Sequence, residues 1–458
     1  MEQVRNYIEA NRGRFIDELF GLIRIPSVSV AEAHRDDMVR AADYIRELLL
    51  KDGADRADVY PTGWHPIVYG EKIIDRSLPT ILIYGHYDVQ PPEPLDRWIT
   101  PPFEPEIRDG RIYARGADDD KGQLFMHLKA FEIMTATDTL PCNIKFMIEG
   151  EEEAGSVSIA DFCSEHRDML RSDVILVSDT TMISPDTPSI TSGLRGLSYI
   201  QVETEGPDHD LHSGIYGGAI VNPCNALCKI IADLKDDDGK ITIPGFYDDV
   251  IVPSADERER MAARPFDVEK YKKETGVESL ASEKGFSVLE SVGIRPTLDV
   301  NGIWGGYTGE GAKTILPSKA SAKISMRLVP DQKAEVIAEM AISYIRSLAP
   351  AGMKIKAEYL HGGEAYVSPV DTPEYIAAER ACEEVFGRKP IPVRSGGSIP
   401  IISTFEKTLG VKSILMGFGL ESDDIHSPNE NYPLRNLFAG MEAIPLYFRY
   451  YTGMKKSV

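Results

Sequence analysis

Four glutamates fall within five positions of FMIEGEEEAGS, residues 146–156. If Glu149, Glu151, Glu152 and Glu153 were all ionised in a folded interior they would repel one another. The stretch is therefore either a solvated acidic loop or one wall of a site that holds strong positive charge. Similar residues recur along the chain. HYD supplies His86 and Asp88, GADDDKG supplies Asp118, Asp119 and Asp120, VSD ends at Asp179, and GLESDDIHSPN leads to His426. A pair of divalent cations would supply the charge these carboxylates need. Mixed imidazole and carboxylate donors suit zinc or manganese, whereas calcium and magnesium favour all-oxygen sites.

The elements that must position these residues are legible as apolar runs. TILIYG (80–85), NIKFMIEG (143–150) and DVILVSD (173–179) predict strands, and helices fit 3–23, 36–51 and 121–136. Alternating strand and helix patterns over the first 190 residues predict an α/β sheet, which VKSILMGFG and NLFAGMEAIPLYFRYY complete at the far end. In open α/β sheets ligands bind just beyond the carboxyl ends of the strands. His86, the glutamate cluster, Asp179 and His426 all follow such runs, and that convergence carries more weight than any one of them. A second DDD, at 236–238, reads as a solvated loop, and His34, His65, His127 and His166 read as structural.

The texture changes in the middle. GLSYIQVETEG (196–206) and KASAKISMRLVP (319–330) alternate as strands with one polar face, and each precedes an amphipathic helix. This predicts a two-domain protein: a mixed-sheet α/β domain formed by 1–192 and 366–458, interrupted by an α+β domain at 193–365. Residues 236–295, rich in charge and turn formers, predict loops and short helices inside the insert.

Composition excludes some partners. A formal charge of −22, from 72 acidic and 50 basic residues, argues against nucleic acid and anionic membranes. No apolar run approaches the roughly 20 residues that span a bilayer, and the first 27 residues read as an amphipathic helix rather than a signal peptide. Five scattered cysteines suit a reducing cytoplasm, and Cys224 and Cys228, one helical turn apart, read as packing residues.

GHYDVQP, RGADDDKG, EGEEEAGS, DLHSGIYGG, GAKTILP, SMRLVP, GGSIP and IHSPNE occur in the order seen in metallopeptidase family 20. The chain resembles most its cytosolic nonspecific dipeptidase and carnosinase branch, over residues 86–430. The resemblance implies a catalytic domain with two divalent metal ions per subunit, zinc or manganese, and an inserted lid that forms a homodimer. It implies that His86 and Glu153 take separate metals bridged by Asp119, with Asp179 joining His86 and His426 joining Glu153. Glu152 is then the general base, Asp88 orients the His86 imidazole, and the Asp119–Asp120 peptide is cis. Asp118 competes with Asp119 for the bridging role; the distance to Lys121 and Gly122 favours Asp119. His212, acting across the dimer interface, would donate to the oxygen of the tetrahedral intermediate. Arg327 would clamp the free carboxylate of a small peptide, with Thr314 and Ser398 at the same end and His361 lining the pocket.

The implied reaction is cleavage of dipeptides or short peptides bearing a free C-terminal carboxylate, through a metal-bridging hydroxide. Two rivals stay open. An N-acyl amino acid deacylase would share the metals, the base and the arginine, and differ only in substrate. A non-catalytic metal-stabilised binding protein would need neither the base nor an open ligand position.

Overall fold

The computed structural model describes residues 1–397 and 399–455. The chain forms two compact units, one of Met1–Ser192, Ser368–Val393 and Thr404–Val458, the other of Gly193–Val367 and Arg394–Ser403.

The first unit is built on a mixed sheet. Its strands run in the order Arg56–Tyr60, Ile67–Lys72, Asn143–Glu149, Thr80–His86, Val174–Val177, Ser413–Leu415 and Ser189–Leu194. The four from Asn143–Glu149 to Ser413–Leu415 are parallel, and the flanking pairs are antiparallel. Both faces of the parallel strands are covered, which is why their sequences are continuous apolar runs rather than alternating ones. Ile81 and Ile83 face the core shared with helices Glu2–Ile23, Lys121–Ala136 and Leu434–Lys455. On the opposite face, Tyr84 meets the edge of Phe405, with ring centroids 5.0 Å apart.

The helix Lys121–Ala136 lies at the centre of this core and is buried around its whole circumference from Lys121 to Met134. Its start is fixed sterically: a Cβ on Gly122 would lie 1.9 Å from the carbonyl oxygen of Ala117, so only glycine fits. Two buried lysines on this helix find partners. Lys121 Nζ donates to the carbonyls of Leu22 (3.3 Å) and Ile25 (2.6 Å) at the end of Glu2–Ile23, and Lys129 Nζ is ringed by Glu18, Asp52 and Glu132 at 2.7, 2.9 and 2.7 Å. Among the described residues no helix is long and apolar enough to cross a membrane.

The second unit holds a four-stranded antiparallel sheet ordered Thr297–Gly305, Lys319–Leu328, Gly196–Glu205 and Lys354–Gly363. In Gly196–Glu205 alternate residues are buried and half-buried, so one face is covered and the other is open. Ile200, Val202, Ile324 and Met326 point into a core closed by Leu227 and Ile230 of helix Pro223–Ala232 and by Ile337, Ala341 and Ile345 of helix Ala334–Ser347. The segment 236–295 contributes three short helices, Ala255–Ala262, Val268–Thr275 and Val288–Gly293. Their N-termini are capped by Ser254, Asp267 and Ser287, side chains that accept the first unpaired backbone N–H groups.

Candidate metal centre

The carboxyl ends of the parallel strands bring a histidine–carboxylate cluster together. His86 is the last residue of Thr80–His86, Glu149 ends its parallel neighbour, and Asp179 lies two residues beyond Val174–Val177. Asp119 comes from the turn before helix Lys121–Ala136, where the Asp119–Asp120 peptide is cis. His426 comes from the loop after Gly419–Leu420.

These side chains form two groups whose donor atoms lie within 4.8 Å of one another: His86, Asp119 and Asp179, and Asp119, Glu153 and His426. Asp119 belongs to both. Its Oδ1 lies 3.1 Å from His86 Nε2 and its Oδ2 lies 3.0 Å from His426 Nε2, which is also 3.2 Å from Glu153 Oε2. The Asp118 carboxyl is in neither group; it is fully buried and faces Asp423.

The four glutamates of the acidic run divide into two pairs. Glu151 is an internal cap: it accepts from the backbone N–H groups of His65 and Ser158 and from the hydroxyls of Thr62 and Ser158, at 2.8–3.1 Å. Glu149 is buried against Tyr84 Oη (2.6 Å) and Ser156 Oγ (2.9 Å), and burial pushes its pKa up to about 8. Glu152 and Glu153 begin the short helical turn Glu152–Ala154 and face the cluster. One buried carboxylate sets that turn and the His86 ring together. His86 Nδ1 lies 3.1 Å from the main-chain carbonyl of Asp88 and 3.3 Å from its Oδ1, and the two carboxylate oxygens accept the backbone N–H groups of Glu152 (3.2 Å) and Glu153 (3.1 Å). Gln90 adds a donor, Nε2 to Glu153 Oε2 at 2.8 Å.

The electrostatics follow from crowding. Burial would lower the His86 pKa, but hydrogen bonds to Asp119 and Asp88 outweigh it and raise it well above the usual value. Hydrogen bonds to Asp119 and Glu153 push His426 up to about 10. Burial opposes ionisation of Asp119, yet its two imidazole partners hold it below the usual carboxylate range. Asp179 and Glu153 are raised by burial and the Asp119 charge. Glu152 is pushed up to about 8 by burial, with His86 opposing and Glu153 and Asp119 adding to the rise. Two imidazoles thus face more carboxylates than they can neutralise. This donor set fits divalent cations, which bind neutral imidazole and ionised carboxylate together.

The acidic residues preceding helix Lys121–Ala136 do not cap it. Asp120 makes no side-chain cap bond and instead accepts the backbone N–H of His86 at 3.1 Å, tying the turn to the strand. His127 bonds Ser178 Oγ at 2.8 Å, and His65 Nε2 meets the Ser29 carbonyl at 2.9 Å. His34, by contrast, has an acidic partner one turn on: Asp37 lies 2.8 Å away.

The remaining sequence-predicted site residues fall in the second unit. His212 and Thr314 sit on a small ribbon in which Leu211–His212 pairs with Ile315–Leu316 and Ser213 N–H donates to the Thr314 carbonyl at 3.0 Å. Arg327 and His361 share the open face of the four-stranded sheet, opposite Leu197 and Tyr199 respectively, and His361 stacks on Tyr199 at 5.2 Å. Ser398 lies outside the described residues.

With this geometry in place, the chain belongs to peptidase family M20/M25/M40, whose model matches residues 82–449. It is 34% identical to the Cys-Gly metallodipeptidase DUG1 of Candida albicans, covering 97% of this chain and 96% of that one. It is 32% identical to the human Beta-Ala-His dipeptidase, covering 98% and 92%. Among solved structures, the dipeptidase Dug1p of Saccharomyces cerevisiae superposes with a TM-score of 0.85 at 31% identity, covering 99% of this chain and 98% of that one. The metallo-carboxypeptidase Sso-CP2 of Sulfolobus solfataricus superposes with a TM-score of 0.87 at 32% identity, covering 96% and 99%.

Proposed function

We propose that the protein is a metallodipeptidase that hydrolyses dipeptides or short peptides with a free C-terminal carboxylate, using two divalent ions, zinc or manganese, per subunit. The observation that carries this reading is the sharing of Asp119 between two histidine–carboxylate groups, with Glu152 half-buried beside them and in neither. Relatives that span nearly the whole chain and are named as a metallodipeptidase and a dipeptidase favour the same chemistry.

In this reading His86 and Asp179 would hold one ion and Glu153 and His426 the other, with Asp119, common to both groups, available to each. When bound, the ions supply Lewis-acid polarisation of a carbonyl and acidify water. Glu152, which belongs to neither group of candidate ligands, takes a proton at its carboxylate and returns it to the leaving amine. Asp88 keeps the Nδ1 proton of His86 in place, so that Nε2 is free to ligate. Arg327 is the bidentate donor for the substrate carboxylate, assisted by Thr314, Ser398 and His361.

His212 would act as a donor from a second copy in a homodimer. The outer strand Thr297–Gly305 pairs on one side only among the described residues. It exposes Ile303 and Trp304, and Ile215 is exposed beside His212, as a self-pairing edge requires. Five cysteines without a disulfide fit a cytoplasmic setting.

The test is hydrolysis of a dipeptide panel, beside N-acetyl amino acids, by chelator-stripped protein refilled with zinc or manganese. A Glu152→Ala variant runs alongside with its metal content measured. Metal-restored dipeptide cleavage that vanishes in the variant while metal is retained supports the reading. Cleavage of N-acetyl amino acids alone overturns the substrate class, and inactivity across both panels overturns the enzyme.

A further inference from the structure

Glu430 belongs to the segment that carries His426, yet its carboxylate serves another loop. Oε1 accepts the backbone N–H groups of Asp118 (3.0 Å) and Asp119 (3.1 Å). Oε2 accepts the backbone N–H of Gly116 (2.9 Å) and Nη1–H of Arg115 (2.7 Å). Both side chains of this ion pair are buried, at 0% and 1% exposure. Around it the two segments are stitched together. Asn431–Pro433 pairs antiparallel with Arg111–Tyr113, Ala114 N–H donates to the Glu430 carbonyl at 3.0 Å, and Arg111 bonds both Asp423 and Asn431.

His426 itself is held far less firmly. Its side chain is 51% exposed, against 0% for His86. Its backbone is left-handed, as are those of Asp424 and Asn429. Asp, His and Asn enter the left-handed region more readily than other non-glycine residues, so the loop's turns draw on the residue types it carries. Buried carboxylates flank this loop, Asp423 before it and Glu430 after it, and of the two it is Glu430 that accepts the backbone N–H of Asp119.

We propose that Glu430 is a positioning residue for the metal centre: by accepting the N–H groups of the Asp119 turn, it fixes Asp119 relative to His426. The proposal rests on the ligand set given above. A carboxylate can do this because both oxygens accept; an amide at the same place presents one acceptor and turns a donor toward N–H groups or a guanidinium. Arg115 supplies the positive charge that a buried carboxylate needs. A merely structural ion pair would support the fold without governing how well the folded protein binds metal.

The experiment is calorimetric titration of chelator-stripped full-length protein with Zn2+, with melting temperatures recorded before metal is added. The variants are Glu430→Gln, the double variant Glu430→Gln/Arg115→Met, Lys129→Met and Asp119→Asn. Glu430→Gln is expected to lose about 10- to 100-fold in metal affinity. Lys129→Met, which breaks a different buried cluster, is expected to melt lower and bind Zn2+ as the wild type does. If Glu430→Gln does not fold, the double variant decides, since it leaves no uncompensated buried charge. Wild-type affinity in the folded Glu430 variant, or an equal affinity loss in Lys129→Met, overturns the proposal. Wild-type affinity in Asp119→Asn overturns the ligand set itself. Loss in Asp119→Asn beside intact binding in Glu430→Gln overturns the Glu430 role alone.

Discussion

Asp88 is the most economical place to test how the metal centre is organised. Its buried carboxylate serves three groups at once, the His86 ring and the backbone N–H groups of Glu152 and Glu153. Asp88→Asn preserves the shape but removes one acceptor, so one of those N–H groups faces an amide NH2 instead. A hydrogen bond to a charged group contributes ~1.5–3 kcal/mol, and a donor left unsatisfied in the interior costs a similar amount. At ~1.4 kcal/mol per decade, that corresponds to a loss of about 10- to 100-fold in metal affinity, the range found when a ligand histidine loses its carboxylate partner. In metal-free protein the substitution also removes one negative charge from a crowd of carboxylates, which offsets the lost contacts. The melting temperature of loaded protein should therefore fall more than that of stripped protein. Calorimetric titration with zinc and paired thermal melts check both points. Metal affinity within a factor of about two of wild type, or equal losses of melting temperature in the two forms, would refute the reasoning.

Arg327→Lys removes the planar fork while keeping the charge. It should raise KM for dipeptides well above the wild-type value while leaving hydrolysis of dipeptide amides, which lack the carboxylate, nearly unchanged. Lys129→Met leaves Glu18, Asp52 and Glu132 without their shared cation. It should destabilise the fold by ~3–5 kcal/mol in denaturant melts, with kcat per folded molecule retained. In the same cluster, burial opposes ionisation of Glu132, but hydrogen bonds from Arg14 and Lys129 hold its pKa down at about 2. A carboxylate lowered on folding adds stability above its unfolded pKa of about 4.3 and loses it as the pH falls toward the folded value. Glu132→Gln should therefore be less stable than wild type above about pH 5, with the difference shrinking between about pH 4 and 2.

The parallel strands were legible because strands covered on both faces read as unbroken apolar runs, and their last residues fall where an open sheet presents ligands. The place of Asp119 in both groups and the turn of Glu152 and Glu153 became nameable only through motifs, because DDD and EEE offer identical residues side by side. What distinguishes them is contacts from elsewhere in the chain. Glu151 is claimed by Thr62 and His65, Glu149 by Tyr84, and Asp118 faces Asp423. Glu430 was visible only as the last letter of IHSPNE, because its targets lie more than 300 residues earlier. The hairpin Arg56–Tyr60 and Ile67–Lys72 escaped for a simpler reason. RADVY and IVYGEK are short and mix charge with apolar residues, and the sheet defines them more than propensity does.

The chain leaves the first unit at Ser192 and returns only at Ser368, which has a consequence for biosynthesis. His86, Asp119, Glu152, Glu153 and Asp179 are all translated before the second unit, whereas strand Ser413–Leu415, His426 and Glu430 follow it. At typical elongation rates the ribosome takes on the order of ten to thirty seconds to cross the second unit. Throughout that interval Val174–Val177 lacks its parallel neighbour Ser413–Leu415, and the N–H groups of Gly116, Asp118 and Asp119 lack the Glu430 carboxylate. A nascent chain at that stage thus carries His86 and the cluster's carboxylates, without the second imidazole or the Glu430 brace. On the proposed ligand set, the group of Asp119, Glu153 and His426 is therefore assembled only once the C-terminal segment has docked.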